Sequence, residues 1–193
     1  SPMNNILLSG FAPFAHHTHN PSMSIVQELH NRTIDQQARI IGVVLPVVQQ
    51  RCIEILKEQI LLHKPVAVLA LGVSSRPTIS IERVAINIDD FSIPDNAGNQ
   101  PCDQSIVTEA PPAYWSTLPI KDLYTCARNI HPKVEISNSA GTFVCNHLFF
   151  QLQHMLSFNS IISGFVHIPT TDVIEIQTQR SIVFSMLSLL AHQ

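Results

Sequence analysis

The chain has 193 residues, of which 45% are hydrophobic and only 13% are charged. This length suits one domain with a full-sized core, and the low charge content predicts that much of the chain is buried inside the domain or against copies of itself. The formal net charge of −3 and the lack of any Lys/Arg run argue against nucleic acid or a membrane surface as a partner.

The sequence carries no signal for membrane insertion or secretion. No apolar run approaches the roughly 20 residues of a spanning helix, and the N-terminal region lacks the basic and apolar pattern of a secretory signal. Ser1 and Pro2, which precede Met3, are interpreted as a cloning remnant, and residues 1–193 are expected to form a single domain in the cytoplasm. The four cysteines are widely separated and form no CxxC pair, so we expect neither a disulfide framework nor a metal site.

The first part of the chain alternates between predicted strands and helices. Strands are predicted over residues 5–9, 38–45 and 66–71, and helices over residues 21–30 and 47–62. Asn20 supplies the N-cap of the first helix, and Pro21 suits its first turn. This alternation is typical of an α/β sheet with helices on its faces.

The second part is less regular. A strand is predicted over residues 78–88, a helix over 119–131, a short strand over 133–136 and a late strand over 160–168. The segment DDFSIPDNAGNQP, residues 89–101, is a loop long enough to suggest a functional role. The last helix is predicted to begin at Asp172, with Glu175 completing a capping box, and to run to about Ala191.

The stretch SNSAGTFVCNHLFF, residues 137–150, predicts a turn of small polar residues that leads directly into an apolar helix. Cys145 lies within the first turn or so of that helix. Because a helix N-terminus has unpaired N–H groups and a partial positive charge, it stabilises a thiolate, which makes Cys145 the candidate nucleophile. The alternative is that Cys145 is one more small apolar residue in a buried helix.

A cysteine nucleophile needs a base, and several of the ten histidines are poor candidates. His147 is only two residues from the cysteine, and positions i and i+2 of a helix point to different sides. His154 is nine residues along the same helix, about 13 Å away. His16, His17 and His19 lie in a polar loop, where they are expected to be solvated or to bind adventitious metal.

His167 is the strongest candidate for the base. It ends an apolar strand just before Pro169, and ligands of open α/β sheets bind outside the carboxyl ends of the strands. The turn that precedes Cys145 opens at the same edge, so the two side chains can meet there. The alternative is a core histidine that is merely packed between Val166 and Ile168.

The base in turn needs an acceptor that orients its other ring nitrogen. Within TISIERVAINI, strand alternation places Glu82 on the same face as Val84, Ile86 and Ile88. A carboxylate on an apolar face must find a donor or lose its charge, and a histidine imidazole would serve. The alternative is an exposed glutamate at the start of the strand.

The chain contains, in this order, the segments GFAPF, NPS, IERVAIN, DFSIPDNAGNQP, AYWSTLPI, SNSAGTFVCNHLFF and GFVHIP. Together they resemble the pyroglutamyl peptidases of the type I, cysteine class. The resemblance implies an α/β/α sandwich with a central, mostly parallel twisted sheet. It also implies removal of an N-terminal pyroglutamyl residue from peptides, without a metal or an organic cofactor. The expected partners are N-terminally pyroglutamylated peptides and further copies of the chain, in a tetramer or dimer.

By this resemblance, Cys145 is the nucleophile, His167 the base and Glu82 the orienting carboxylate, which are the residues that the physical argument selects. The resemblance also implies a lactam pocket. Its walls are formed by Phe11, Phe14, Ile93, Phe143 and Val144, with Asn20 as a polar contact to the ring. The oxyanion would be bound by the Cys145 backbone N–H and neighbouring donors, with Arg76 as the corresponding arginine.

The chain departs from the family pattern in three places. It reads GVSSRP, residues 72–77, where bacterial members usually have GQAGGR, and is apparently one residue shorter there. This difference bears on two expectations. One is that Arg76 lies near the oxyanion, and the other is that the backbone of Val73 contacts the lactam N–H. Val47 replaces a usual threonine, and Ala15 replaces a usual glycine.

Two other functional classes stay open. The GVSSRP departure is compatible with a cysteine amidase of the same mechanism that acts on another blocked amine or small lactam. A non-catalytic protein that keeps the pyroglutamyl slot without turnover is the second.

Overall fold

The computed structural model describes residues 2–193. The strands are β1 (Asn4–Phe11), β2 (Thr33–Ile34), β3 (Ala38–Leu45), β4 (Ala67–Val73), β5 (Ile79–Glu82), β6 (Val84–Ile86), β7 (Ala113–Trp115), β8 (Val134–Ser137) and β9 (Ile162–Ile168). The helices are α1 (Pro21–Leu29), α2 (Gln49–His63), α3 (Ile120–Arg128), α4 (Val144–Met155) and α5 (Ile176–Ala191).

A seven-stranded sheet forms the centre of the molecule, in the order β2-β3-β1-β4-β9-β5-β8. The strands β3, β1, β4 and β9 are mutually parallel. β5 is antiparallel to β9 but parallel to β8, and β2 is antiparallel to β3. The sheet is therefore mostly parallel, and the carboxyl ends of β1, β4 and β9 lie at one edge. β6 and β7 form a separate antiparallel pair.

Helices cover both faces of this sheet, and each face has its own hydrophobic core. Residues of α1, α3 and α5 pack on one face, and residues of α2 and α4 pack on the other. Alternate side chains of β1 enter the two cores, Ile6 and Leu8 on one face and Leu7 and Phe11 on the other. The predicted three-layer α/β/α sandwich is confirmed. Within residues 2–193, no helix combines the length and the apolar character needed to span a bilayer.

The single strand predicted over residues 78–88 is wrong, because the chain forms β5 and β6 with Arg83 between them. The Arg83 N–H donates to the carbonyl of Ser137 in β8 at 2.8 Å, whereas its carbonyl accepts from the Ser116 N–H at 2.9 Å. The hydrogen-bonding partner therefore changes at Arg83, and the strand alternation predicted from Glu82 onward ends there.

The last helix also begins later than predicted. α5 starts at Ile176 after Glu175, whereas the capping-box pattern predicted a start at Asp172. The Gln179 side chain donates to the Ile174 carbonyl at 2.8 Å and so closes the turn that precedes the helix. The short strands β2, β6 and β7 have no separate counterpart in the prediction.

Candidate active site

His167 lies near the end of β9, at the edge of the sheet where β4 also ends. It pairs with Gly72 of β4 and with Ser80 of β5. Its side chain is buried on the face that also carries Phe165, and the two ring centroids are 4.8 Å apart. His167 thus occupies the strand-end position that the sequence analysis assigned to it.

Cys145 is the second residue of α4 and lies above this edge of the sheet. A Cβ atom added to Gly72 would lie 2.6 Å from the Cys145 sulfur and 2.8 Å from the ring of Phe165. Because side chains at paired positions of neighbouring parallel strands point to the same face, the sulfur lies on the face of the sheet that carries the His167 side chain. The absence of a side chain at Gly72 is what lets the thiol approach the imidazole.

Glu82, the last residue of β5, is fully buried and holds the His167 ring. Its Oε2 lies 2.6 Å from the Nδ1 of His167. An ionised carboxylate can only accept hydrogen bonds, so Nδ1 carries the hydrogen and donates it. Nε2 is then the basic nitrogen of the ring. Glu82 is therefore not the exposed residue of the alternative interpretation, and His167 is not a core histidine held by apolar packing alone.

The guanidinium of Arg76 lies on the Glu82 side of the imidazole. Its Nη2 is 2.6 Å from Glu82 Oε2 and 3.2 Å from His167 Nδ1, and its Nη1 donates to the Ser137 hydroxyl at 2.8 Å. Among the described residues, those that line the cavity in front of Cys145 do not include Arg76. The contacts therefore give no support to the expected place of Arg76 at the oxyanion.

The pKa of the Cys145 thiol is set mainly by its burial. Burial, together with the smaller effect of the negative charge of Glu82, raises the pKa of the Cys145 thiol to about 12. The N-terminus of α4 favours the anion by up to about 2 kcal/mol, which offsets the effect of burial only in part. The raised pKa favours the neutral thiol in the free site, and a neutral thiol needs a base to remove its proton when the sulfur attacks.

Asn146, which the sequence analysis did not single out, fixes the start of α4. Its side chain accepts from the Ile86 N–H at 3.1 Å and donates to the carbonyls of Ile86 and Ile88 at 2.9 and 3.2 Å. Its place directly after Cys145, in the first turn of the helix, was the available sequence signal. No side chain of the described residues caps α4, so its first N–H groups, Cys145 included, remain available as donors.

His147 is buried next to this anchor and has a partner of its own. Its Nδ1 lies 2.8 Å from Asp89 Oδ2, which also accepts from the Gln49 side chain at 2.8 Å. His154 lies farther along α4, where its Nδ1 is 2.7 Å from the Tyr114 hydroxyl. Both histidines are thus engaged elsewhere, in agreement with their exclusion as the base.

A cavity of about 440 Å³ opens in front of the thiol. Every residue predicted for the lactam pocket lines it, namely Phe11, Phe14, Asn20, Val73, Ile93, Phe143 and Val144. Phe143 forms its aromatic centre, edge-on to Phe14 at 5.4 Å and to Phe91 at 4.7 Å between centroids. Phe91 is buried behind Phe143 and was not predicted. The cavity is also lined by Val47, so this position contributes an apolar surface where a threonine is usual.

The N-terminal loop shapes one side of the cavity. The Asn20 side chain accepts from the Ser22 N–H at 2.9 Å and caps α1, which leaves the Asn20 NH₂ group free to contact a ligand. Ala15 has a φ of 54°, in the left-handed region where glycine is favoured, which explains the usual glycine at this position. Its N–H donates to Asn96 Oδ1 at 3.0 Å, and this contact holds the loop against residues 89–101.

Ile93 reaches the cavity from the loop 89–101, which Asp95 organises. The Asp95 carboxylate accepts from the N–H groups of Gln49, Ala97 and Asn99, at 2.8 to 2.9 Å. Burial alone would raise the pKa of Asp95, but these donors together lower it below its ordinary value. The long polar loop is therefore a fixed part of the site.

Residues 2–193 contain no group of three or more His, Cys, Asp or Glu side chains that could hold a metal ion. The histidines of the N-terminal loop, His16, His17 and His19, are likewise not part of such a group. His17 and His19 line the cavity, and His16 is exposed.

The sequence matches one protein family over almost its whole length. The profile of a family described as pyroglutamyl peptidase matches residues 4–189. The pyrrolidone-carboxylate peptidase of Vibrio vulnificus is 46% identical over 168 residues, which cover 86% of this chain and 79% of that protein. The pyrrolidone-carboxylate peptidase of Bacillus mycoides is 45% identical over 170 residues, with the same coverage.

Solved structures give the same result. The crystal structure of pyroglutamyl peptidase I from Bacillus amyloliquefaciens superposes with a TM-score of 0.92 at 32% identity and covers 98% of both chains. The pyrrolidone carboxyl peptidase of Thermococcus litoralis superposes with a TM-score of 0.88 at 32% identity, over 98% of this chain and 96% of that one. The chain described here therefore belongs to the pyroglutamyl peptidase family.

Proposed function

We propose that this cysteine peptidase removes an N-terminal pyroglutamyl residue from peptides through a thioester on Cys145. The observation that carries this assignment is the buried Glu82–His167 pair, 2.6 Å between Oε2 and Nδ1, beside a thiol that faces an aromatic cavity. In this assignment Cys145 is the nucleophile, His167 the base and Glu82 the group that orients the base.

The cavity suits the proposed substrate. A pyroglutamyl group is a flat, uncharged five-membered lactam with one N–H and one C=O, and it needs an apolar slot with a few aligned polar groups. We assign the aromatic walls to Phe11, Phe14 and Phe143, and the polar contacts to the Asn20 NH₂ group and the Val73 backbone. An ordinary N-terminal residue carries an ammonium group, which such walls cannot solvate, and this difference gives the specificity.

The arrangement can carry out both halves of the reaction. His167 Nε2 accepts the thiol proton as the sulfur attacks the carbonyl carbon between the lactam and the next residue. When the C–N bond breaks, Nε2 gives that proton to the departing amine, and a pyroglutamyl thioester remains on Cys145. His167 then takes a proton from a water molecule that attacks the thioester, and the proton passes to the sulfur as pyroglutamate leaves.

The negative oxygen that forms in each attack needs donors close to the nucleophile. The uncapped N-terminus of α4 supplies them, with the Cys145 N–H as the first. These N–H groups lie on the same element as the sulfur, and Asn146 holds that element in place. The oxyanion site proposed here therefore needs no side chain.

The assignment is tested with a pyroglutamyl amide of a fluorogenic amine, with the corresponding prolyl and acetyl amides as comparison substrates. We expect the wild type to hydrolyse only the first and Cys145→Ala to lose at least about 10³-fold in kcat. Cys102→Ala, which removes an exposed cysteine, is the matched control and should behave as wild type. Cleavage of other amides alone would indicate a different amidase, and binding without turnover would indicate a binding protein.

We further infer a homo-oligomer, a dimer or tetramer, in the cytoplasm. Large apolar side chains are exposed at Leu61, Leu62, Trp115 and Phe158, and contact between copies would bury them. The proposed catalytic thiol must stay reduced, and the exposed Cys102 is also a free thiol, which suits a reducing compartment. Light scattering of the purified protein gives the subunit number, and cell fractionation gives the compartment. A monomer at micromolar concentration would refute the homo-oligomer. Recovery of the protein outside the cytoplasm would refute the cytoplasmic location.

A further inference from the structure

We propose that Arg76 is a positioning residue, whose guanidinium holds Glu82 ionised and keeps the Glu82–His167 pair from taking up a second proton. The inference rests on the proposed function, in which His167 Nε2 accepts the thiol proton. It assigns Arg76 to the base side of the site rather than to the oxyanion.

The first support is the way Glu82 is partnered. Both the Arg76 Nη2 and the His167 Nδ1 lie 2.6 Å from one oxygen, Oε2. The other oxygen, Oε1, is buried without a hydrogen-bond partner among the described residues. A carboxylate in this position would favour the protonated form unless a permanent charge opposed it. A guanidinium is such a charge, because it does not lose its proton in proteins.

The second support is that the guanidinium is anchored where it stands. Nη1 donates to the Ser137 hydroxyl at 2.8 Å and approaches the Ser139 carbonyl at 3.4 Å. The Ser137 hydroxyl itself donates to the Ser139 carbonyl at 3.0 Å. The side chain of Arg76 is only one-third exposed, so solvent screens its charge incompletely. The residue thus delivers a fixed positive charge to the pair.

The third support is the 3.2 Å contact between Arg76 Nη2 and His167 Nδ1. Both atoms carry hydrogens that point at Glu82, so the contact is not a hydrogen bond between them. A proton added to the pair gives an imidazolium beside a guanidinium, or a neutral Glu82 that donates to Nδ1. In either form Nε2 carries a hydrogen and cannot accept the thiol proton. By opposing this uptake, Arg76 keeps the base active to lower pH.

The other ionisable groups around the pair are few. Glu135 of β8 accepts from the hydroxyls of Thr78 and Ser80, both at 3.0 Å. The thiol of Cys145 lies against Gly72, which pairs with His167 on the neighbouring strand. Arg83 follows Glu82 directly, but its Nε donates to Asn138 at 2.8 Å. Among the groups that face the pair, Arg76 is therefore the cation in contact with it.

The proposal is tested by measuring kcat/KM against pH, from about pH 5 to 9, with the fluorogenic pyroglutamyl amide. The variants are Arg76→Gln and Arg76→Lys, with Arg83→Gln as a matched control that removes the neighbouring arginine. For Arg76→Gln we expect the acidic limb to move to higher pH by at least about half a unit, with kcat recovering at alkaline pH and KM within about twofold of wild type. The acidic limb of Arg76→Lys should lie close to that of the wild type. Arg83→Gln should match the wild-type kcat/KM at every pH.

Other outcomes overturn the proposal. If Arg76→Gln lowers kcat/KM equally at all pH values and leaves the acidic limb of the pH profile unmoved, Arg76 would instead act in transition-state binding at the oxyanion. A raised KM alone would assign it to substrate binding. If Arg76→Gln does not fold, the charge-conserving Arg76→Lys decides, because a shifted limb in that variant contradicts the proposal and an unshifted one supports it. A wild type inactive on every pyroglutamyl amide refutes the peptidase assignment instead, so the two failures are distinguishable.

Discussion

Gly72 is the residue on which the placement of the nucleophile depends most directly. An added Cβ would lie 2.6 Å from the Cys145 sulfur, with the ring of Phe165 at 2.8 Å behind it. The thiol fills the space of a missing side chain, next to the imidazole on the paired position of β9.

We therefore expect Gly72→Ala to lower kcat by at least about 100-fold, because the sulfur is pushed away from His167. The matched control is Gly42→Ala, whose Cβ would lie 2.8 Å from the Val26 carbonyl oxygen, far from the site. That variant should lose stability but keep its kcat per folded molecule. Steady-state kinetics measures kcat, and thermal unfolding measures the stability of each variant. Equal kcat values per folded molecule for Gly72→Ala and Gly42→Ala would contradict this role of Gly72.

The neutral thiol of Cys145 has a measurable consequence in the free enzyme. Since burial raises its pKa to about 12, the thiolate fraction increases with pH throughout the range in which the enzyme is handled. We expect the rate of inactivation by iodoacetamide to rise about tenfold per pH unit between about pH 7 and 9.

Peptide mapping of the alkylated protein assigns the modified residue, with the exposed Cys102 as the internal reference. At neutral pH Cys145 should react more slowly than Cys102, and a pyroglutamate analogue should slow it further. A rate of inactivation that does not change with pH from neutral pH upward would instead indicate that a thiolate–imidazolium pair is already present in the free enzyme.

The three residues of the proposed site could be selected from the sequence because each has a local signal. Cys145 begins an apolar helix, His167 ends an apolar strand, and Glu82 is a lone carboxylate in an apolar segment. Arg76 and Gly72 could not be assigned in this way. Their roles depend on which atoms the fold brings within 3 Å, and nothing in GVSSRP indicates that its arginine turns toward Glu82.

Among the elements, the loop 89–101 shows how a segment without secondary structure can be rigid. Asp95 accepts three backbone N–H groups and is almost fully buried, so the loop is built around its carboxylate. Ile93 and Phe91, which form and support the cavity wall, are carried by the same loop.

Replacing Asp95 by Asn removes the charge and keeps the shape, and we expect a loss of about 1–2 kcal/mol in the free energy of unfolding at neutral pH. The folded-state pKa of Asp95 is lowered, so its contribution is present above the ordinary carboxyl pKa and is lost as pH falls through the folded value. The difference between wild type and Asp95→Asn should therefore shrink below about pH 4.

Urea unfolding at several pH values measures this, with Asp103→Asn, two residues beyond the loop, as the control. Asp103 is exposed, and its left-handed backbone conformation, with a φ of 47°, is one that Asn also tolerates. That control should match wild type at every pH. An unchanged stability for Asp95→Asn at neutral pH would contradict the structural role of the carboxylate.

The long elements were predicted to within a few residues, whereas the short ones were not. The strands over residues 38–45 and 66–71 and the helix capped by Asn20 have clear periodicity or end signals, and the structure forms them. Strands of two or three residues, such as β2, β6 and β7, are too short to show a period, and the change of partner at Arg83 is set by tertiary hydrogen bonds.

In the whole molecule, the topology of the sheet assembles the site. β9, which carries His167, is inserted between β4 and β5, so a late strand lies between Gly72 on one side and Glu82 on the other. α4 then places Cys145 over this junction, in the core layer that also contains Phe165. The alternation of elements predicted an α/β sandwich, but the order of the strands depends on long-range pairing that the sequence pattern does not encode.

The central claim is that this assembly transfers a pyroglutamyl group to the sulfur of Cys145. Rapid acid quenching of the enzyme with a pyroglutamyl amide, followed by intact-protein and peptide mass spectrometry, tests it most directly. We predict a transient mass increase of one pyroglutamyl group on the peptide that contains Cys145, absent from Cys145→Ala and present in Cys102→Ala. Turnover that persists in Cys145→Ala, or an adduct on any other residue, would contradict the account.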